Sequence, residues 1–205
     1  MIKVASAKRA ASHCRLLALA ALFLIPYGLS VGAAPLDVTE LMGLLSLIDK
    51  SSVNFEETKH LAALTAPLVR RGTMRYVRPD RLEMQVDKPY FERLEIIGDR
   101  LTIENRDGKR QIDLASQPLA GVLVEGLRAV LAGDLPGVAR RYRYRFEGEI
   151  GAWKLELEPL DKGAAAAVRR IDIEGSKAQL SRIALEEIQG DRTVFVLSAA
   201  PGPAQ

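Results

Sequence analysis

Apolar residues recur at every second position through most of this chain, a pattern that admits little besides an antiparallel sheet with one dry face. A strand over Leu68 to Val77 places Met74 and Tyr76 on one face and Arg75 and Val77 on the other. Leu82, Met84 and Val86 alternate with charged or amide residues, as do Leu94 with Ile96, Leu101 with Ile103, and Ile112 with Leu114. Upstream, Val53 to Glu56 begins the first strand, which carries Phe55. Downstream, Tyr142, Tyr144 and Phe146 alternate with arginines, and Trp153, Leu155 and Leu157 with Lys154, Glu156 and Glu158. Ile171 and Ile173, Ile183 and Leu185, and Val194 and Val196 follow. Gly98-Asp99, Asp107-Gly108, Gly175 and Gly190-Asp191 mark turns. The count is about eleven strands, consistent with one large antiparallel sheet.

Two stretches change period. Leu36 to Lys50 reads as a helix through Leu41, Leu44, Leu45 and Ile48, with Thr39 or Asp37 as its cap. Pro118 to Ala132 is helical through Leu119, Val122, Leu123, Leu127 and Leu131; Gly133-Asp134 ends it, and Pro136 can open a short helix to Arg141. The alanine run Ala164 to Ala167 reads as a loose hairpin tip. The fold class is α+β: a large, highly curved antiparallel sheet whose apolar face is covered by an N-terminal helix and a central helical insert. Whether those helices leave a hollow or fill it stays open at this point.

Compartment follows from the first residues. Lys3, Lys8, Arg9 and Arg15 precede an apolar stretch, Leu16 to Ile25, and small residues surround Val31-Gly32-Ala33. This is the order of a secretory signal, residues 1–33, cut near Ala33-Ala34. The apolar run is shorter than the roughly 20 residues that span a bilayer, although a retained signal anchor is the alternative. Residues 34–205 then carry 25 basic and 26 acidic groups, so the overall +3 charge belongs to the signal and is no argument for nucleic acid. Cys14 leaves with the signal and precedes the apolar run, so neither a lipid anchor nor a disulfide is expected. Residues 34–199 form one domain, and 200–205 a disordered tail.

Most catalytic chemistry lacks its residues. His60 is the one histidine beyond the signal, and the sequence has neither a Cys/His zinc set nor a G-x-S-x-G elbow. Glu56-Glu57 and Glu186-Glu187 are strand neighbours, so each pair points to opposite faces. Glu83, Glu95, Glu156 and Glu174 read as the wet face of the sheet. Arg140 to Arg145 interleaves basic and aromatic residues, which on a strand reads as a solvated arginine row beside inward aromatics. No cofactor, metal site or catalytic residue is expected.

The stretch Gly72-Thr73-Met74-Arg75-Tyr76-Val77-Arg78-Pro79-Asp80-Arg81-Leu82-Glu83-Met84 resembles the segment of the LolA-type periplasmic lipoprotein carriers where a strand ends in a basic residue plus proline. Phe55, Leu68, Gly72 and Pro89 fit around it, as do Gly98-Asp99 with Leu101, Trp153 with Leu155, Leu157 and Pro159, and Gly190-Asp191-Arg192-Thr193. The resemblance covers roughly Leu36 to Ser198 and is to the divergent members. It implies an eleven-stranded half-barrel with a helical lid over an apolar cavity that takes acyl chains. It implies that Arg78, beside Pro79, holds the lid. It implies that Leu82 and Met84 line the hollow, and the expected lining as a whole is Phe55, Met74, Tyr76, Leu82, Met84, Leu94, Ile96, Leu101, Ile103, Leu123, Leu127, Trp153 and Leu155. Methionines stand where carriers tend to have aromatics, which suits a different lipid. The chain also ends soon after its last strand, without the extra C-terminal strand of the housekeeping carrier.

The expected function is therefore a periplasmic carrier of lipoprotein acyl chains or free lipid. By the same resemblance it takes cargo from an inner-membrane exporter to an outer-membrane acceptor, as a monomer. A lipid- or lipoprotein-sensing module without transfer is the alternative. An esterase depending on His60 is a third.

Overall fold

The alternation resolves into a single sheet. The computed structural model describes residues 37–200. The strands are β1 (Lys50–His60), β2 (Leu68–Val77), β3 (Arg81–Lys88), β4 (Glu92–Ile97), β5 (Arg100–Asn105), β6 (Gly108–Asp113), β7 (Tyr142–Glu149), β8 (Ala152–Pro159), β9 (Val168–Ser176), β10 (Gln179–Glu187) and β11 (Arg192–Ala199). They pair antiparallel in the order β6-β5-β4-β3-β2-β1-β11-β10-β9-β8-β7. The first and last strands thus meet in the middle, with Val53 opposite Ala199 and His60 opposite Arg192. The sheet is open and curved, with β6 and β7 as its free edges.

That order dictates where the helical insert lies. The chain from the end of β6 to the start of β7 has to join opposite edges, so it crosses the mouth of the curved sheet. It does so as a single 3-10 turn (Leu114–Ser116), then α2 (Pro118–Leu131) and α3 (Leu135–Arg141). Pro118 opens α2 where its missing N–H costs nothing, and the Asp134 side chain caps α3 by accepting from the Gly137 N–H at 2.8 Å. The preceding helix, α1 (Val38–Ser46), buries Leu41, Met42 and Leu45. At Gly133, φ is +69° and a Cβ would collide with the Met42 carbonyl, so only glycine lets the α2–α3 corner sit on α1.

The core has two parts. The larger joins α1, Val130 of α2 and Val138 of α3 to Phe55, Val86, Tyr142, Trp153, Leu155, Leu157, Ile171, Ile173 and Phe195. The smaller holds Leu101, Ile103, Leu114 and Val124, with Leu82, Leu94, Ile96 and Ile112 packed half-buried against it.

Four expectations need correction. The first helix is shorter than Leu36 to Lys50, because Lys50 already pairs with Val77 as the start of β1. Asp37 stands at its N-cap position without a side-chain bond. Ala164 to Ala167 does lie at the tip of the β8–β9 hairpin, but as the body of α4 (Lys162–Ala167) and not as a loose turn; alanine is the best helix former, and the Asp161 carboxylate caps the Ala164 N–H at 2.9 Å. The faces are also less cleanly divided than strict alternation implies. On the outer face Glu83 is buried beneath arginine stems, with Arg93 at 2.8 Å and Arg81 at 3.6 Å. On the inner face Glu57 and Arg70 sit among apolar neighbours. The signal segment, the cleavage point and Cys14 lie outside the described residues, as do residues 201–205 of the tail.

Candidate functional site

The concave face gathers the residues singled out from the sequence, but into two groups. Phe55, Met74, Met84, Trp153 and Leu155 join the larger core cluster, where Leu123 and Leu127 of α2 reach them from above. Leu82, Leu94, Ile96, Leu101 and Ile103 join the smaller one. Tyr76 is in neither cluster; it is buried, and its hydroxyl donates to the Pro79 carbonyl at 3.4 Å. Burial pushes the Tyr76 phenol above its ordinary range, with Arg78 opposing.

Arg78 follows the last residue of β2 and is joined to Pro79 by a cis peptide. Its backbone N–H donates to the Asp49 carbonyl at 2.8 Å. Its guanidinium reaches the ends of two helices at once. Nη2 donates to the carbonyls of Ser46 at 2.7 Å and Leu45 at 3.4 Å, and Nη1 to that of Ala132 at 3.3 Å. The Ser46 and Ala132 carbonyls are end-of-helix acceptors of α1 and α2, where the partial negative charge of each helix collects, and that of Leu45 also accepts from the Ile48 N–H at 3.0 Å. A second arginine repeats the device across the mouth: Arg128 of α2 donates from Nη2 to the Gly98 carbonyl in the β4–β5 turn at 2.7 Å. Sequence reasoning passed over Arg128. Its signal is a basic residue in the last turn of a helix otherwise apolar on its sheet side.

Tyr142, at the start of β7, fixes the middle of α2. Its hydroxyl donates to the Val122 carbonyl at 2.6 Å. Burial raises its phenol well above the usual value, and the nearby Glu125 charge adds to the effect. The lid is thus held to the sheet by hydrogen bonds at Arg78, Arg128 and Tyr142, while Leu41 and Leu45 fill the space beneath it with no exposed surface.

Toward the far end of the same face the lining turns polar. Arg70 donates from Nε and Nη2 to the two carboxylate oxygens of Glu57, at 2.6 and 3.0 Å, and from Nη1 to Glu92 Oε2 at 3.1 Å. Burial works against the Arg70 charge, but its bonds and charges with Glu57 and Glu92 outweigh this and raise its pKa. Arg70 and Glu92, but not Glu57, border an open cleft of about 340 Å³, lined also by Val86, Pro89, Tyr90, Phe91, Asn105, Arg106 and Asp107.

His60 ends β1 exposed and opposite Arg192. Among the described residues no set of three or more His, Cys, Asp or Glu is placed to hold a metal ion, and no helix is long and apolar enough to cross a membrane.

The architecture is thus an open, curved antiparallel sheet whose apolar face is covered by helices hydrogen-bonded at their ends. The chain belongs to the family of outer membrane lipoprotein carrier protein LolA-like sequences, which matches residues 30–205. That family binds lipids and lipoproteins, and its members are binding or carrier proteins rather than enzymes. Similar solved structures include a LolA superfamily protein from Nitrosomonas europaea, 13% identical over 82% of this chain and 96% of that one, with a TM-score of 0.46. The lipoprotein LppX from Mycobacterium tuberculosis is 13% identical over 80% of this chain and 97% of that one, at a TM-score of 0.37. The MucB of the MucA/MucB complex from Pseudomonas aeruginosa is 13% identical over 82% of this chain and 59% of that one, at 0.40. None of the curated proteins matches the sequence.

Proposed function

We propose that the protein is a periplasmic carrier that takes acyl chains of a lipoprotein or lipid beneath its lid and moves them from the inner towards the outer membrane. The exported state, the exporter that loads it and the acceptor that empties it are part of this reading. The observation that carries it is the convergence of the α1 and α2 carbonyl ends on the Arg78 guanidinium. A lid held there is closed by a few polar bonds over a largely apolar face, of which the part against Leu82, Leu94 and Ile96 is only half covered. Acyl chains that enter displace Leu123, Leu127 and their neighbours from the sheet, so Arg78 and Pro79 act as lid control and the inward residues of β1–β5 and β8 as lining.

The energetics suit a carrier. Each buried methylene contributes about 0.8 kcal/mol, but a chain that replaces lid side chains recovers only part of that. Opening also breaks charge-assisted bonds at Arg78, each worth about 1.5–3 kcal/mol. Binding is therefore limited, and release remains possible.

The test is mass spectrometry of lipid extracted from protein purified without detergent. Stoichiometric phospholipid, fatty acid or acylated peptide supports the carrier. A lipid-free protein that also fails to take up a fluorescent acyl probe defeats it and leaves a binding or sensing module. With Arg78→Leu the lid loosens and cargo is retained; unchanged release kinetics in that variant would remove Arg78 from the mechanism.

A further inference from the structure

The two free edges of the sheet are not equivalent. At β7 the bond from the Leu160 N–H to the Arg141 carbonyl, 2.8 Å, sets the phase of the ladder with β8. Hydrogen-bonded pairs alternate along an antiparallel ladder, so Arg143, Arg145, Glu147 and Glu149 direct their backbone groups to β8. The two-residue turn Ile150-Gly151 agrees, since it closes on the Glu149–Ala152 pair. Tyr144, Phe146 and Gly148 therefore aim N–H and C=O out of the sheet, where they meet no partner among the described residues. Such a row is a template for another strand.

The side chains narrow what that strand is. Arg143, Arg145, Glu147 and Glu149 are exposed on the convex face, two cations followed by two anions. An acidic strand or a basic one meets half of this row with like charge. A second copy of β7, antiparallel about a two-fold axis, meets its complement in one register. Registers that bring outward backbone groups together are centred on one of residues 144–148. Centring on Tyr144 sets Arg143 against Arg145, and centring on Arg145 sets that residue against itself. Centring on Glu147 does the same to Glu147, and centring on Gly148 sets Glu147 against Glu149. Centring on Phe146 sets Arg145 against Glu147 and Arg143 against Glu149, each twice by symmetry. It also uses every outward backbone group: Phe146 pairs with its own copy, and Tyr144 with Gly148 of the second copy. On the concave side Phe146 is half-buried and Tyr144 is 36% exposed, and the missing side chain of Gly148 leaves the Tyr144 ring room.

β6 is a poorer edge. The bond from the Leu114 N–H to the Asp99 carbonyl, 2.8 Å, leaves Lys109 and Gln111 facing out, while the Asp113 carbonyl already accepts from the Ser116 hydroxyl at 2.6 Å. Lys109 and Gln111 lie on the convex face, whereas the outward groups of β7 belong to concave-face residues. β6 could therefore join β7 of another copy only with one sheet turned over.

We propose that the protein forms a two-fold dimer through β7, with Phe146 on the axis, which joins two eleven-stranded sheets into one and sets both lids on the same side. This departs from the monomer expected from the resemblance, and it does not depend on the carrier reading.

The experiment is sedimentation equilibrium of the purified protein over about 1–300 μM, the range suited to a small strand-edge interface. A reversible monomer–dimer equilibrium is expected. Arg145→Glu and Glu147→Arg each place like charges opposite one another twice and weaken the dimer about tenfold or more. Both side chains are at least 64% exposed, so the circular dichroism of either variant stays that of the parent. Mixing the two variants restores opposite charges at both positions, and a heterodimer of about the parent affinity returns. A monomer at every concentration, a dimer indifferent to both substitutions, or a mixture that associates no better than its components overturns the β7 interface.

Discussion

On the β7–β10 wing of the sheet, Leu155, Leu157, Ile171 and Ile173 have no exposed surface at all, locked under α1 and most of the lid. On the β3–β6 wing, Leu82, Leu94, Ile96 and Ile112 face the same interior yet remain half-buried. The strands share the same alternation, though β4, β5 and β6 have 6 residues each against 8 or 9 in β7 to β10, and the cover differs as well. The first wing receives α1, α3 and, through Leu119, Val122, Leu123, Leu127, Ala129 and Val130, most of α2; the second receives the 3-10 turn and only Ala120 and Val124 of α2. One wing therefore holds the fold together, and the other has apolar surface to offer a guest.

The sharpest way to break this comparison is to truncate one leucine on each wing. Leu157→Ala costs roughly 3 kcal/mol, the scale of a buried leucine in a core that cannot collapse, read as a lower urea midpoint with an unchanged m-value. Arg78→Leu is next, at about 2 kcal/mol, because it strands helix-end carbonyls. Its hydrogen exchange should rise in α1 and α2 and leave β8 and β9 protected. Leu94→Ala is smaller, about 1 kcal/mol, since the half-exposed side chain loses less on truncation; its main effect should be weaker uptake of an acyl probe. Equal destabilisation by Leu157→Ala and Leu94→Ala would erase the distinction between the wings.

The smallest effect is a matter of pH. The Tyr142 phenol is held above its ordinary value of about 10 in the folded protein. A pKa raised by folding gives stability that is complete below the unfolded value and lost as pH rises above it. Stability should therefore fall beyond about pH 10, and Tyr142→Phe should fall less steeply there. The variant gives up about 1 kcal/mol at neutral pH for its lost bond to Val122. Parallel alkaline declines in the two proteins would show that Tyr142 is not the group responsible.

Much of this was legible in the chain. Alternation located β2 at its observed limits of Leu68 and Val77, and helical spacing with Pro118 located α2. Such signals are local, and local signals give strands without neighbours: nothing near Val53 says that it pairs with Ala199, and the adjacency of β1 and β11 comes only from closing the sheet. The inner-face charges were missed for another reason. Glu57 is in phase with Val53 and Phe55, and Arg70 with Gly72 and Met74, so each belongs to the apolar set by position and is excluded from it by chemistry. A charged residue in apolar phase signals a buried pair when its partner lies on the neighbouring strand. The alanine run was placed at a hairpin tip, but its helical form was missed, although alanine favours helix and Asp161 supplies the cap.

The insert joins the sheet's two free edges, and this makes it a bowstring as well as a cover. Residues 114–141 set how far β6 and β7 can spread, because the chain between them is the tie that spans the gap. On the carrier reading, a guest that forced the bow wider would draw slack from the Ala132–Asp134 corner, where α2 hands over to α3. The length of that corner is then a gauge of capacity: adding residues there would enlarge what the protein can swallow without altering a single lining side chain.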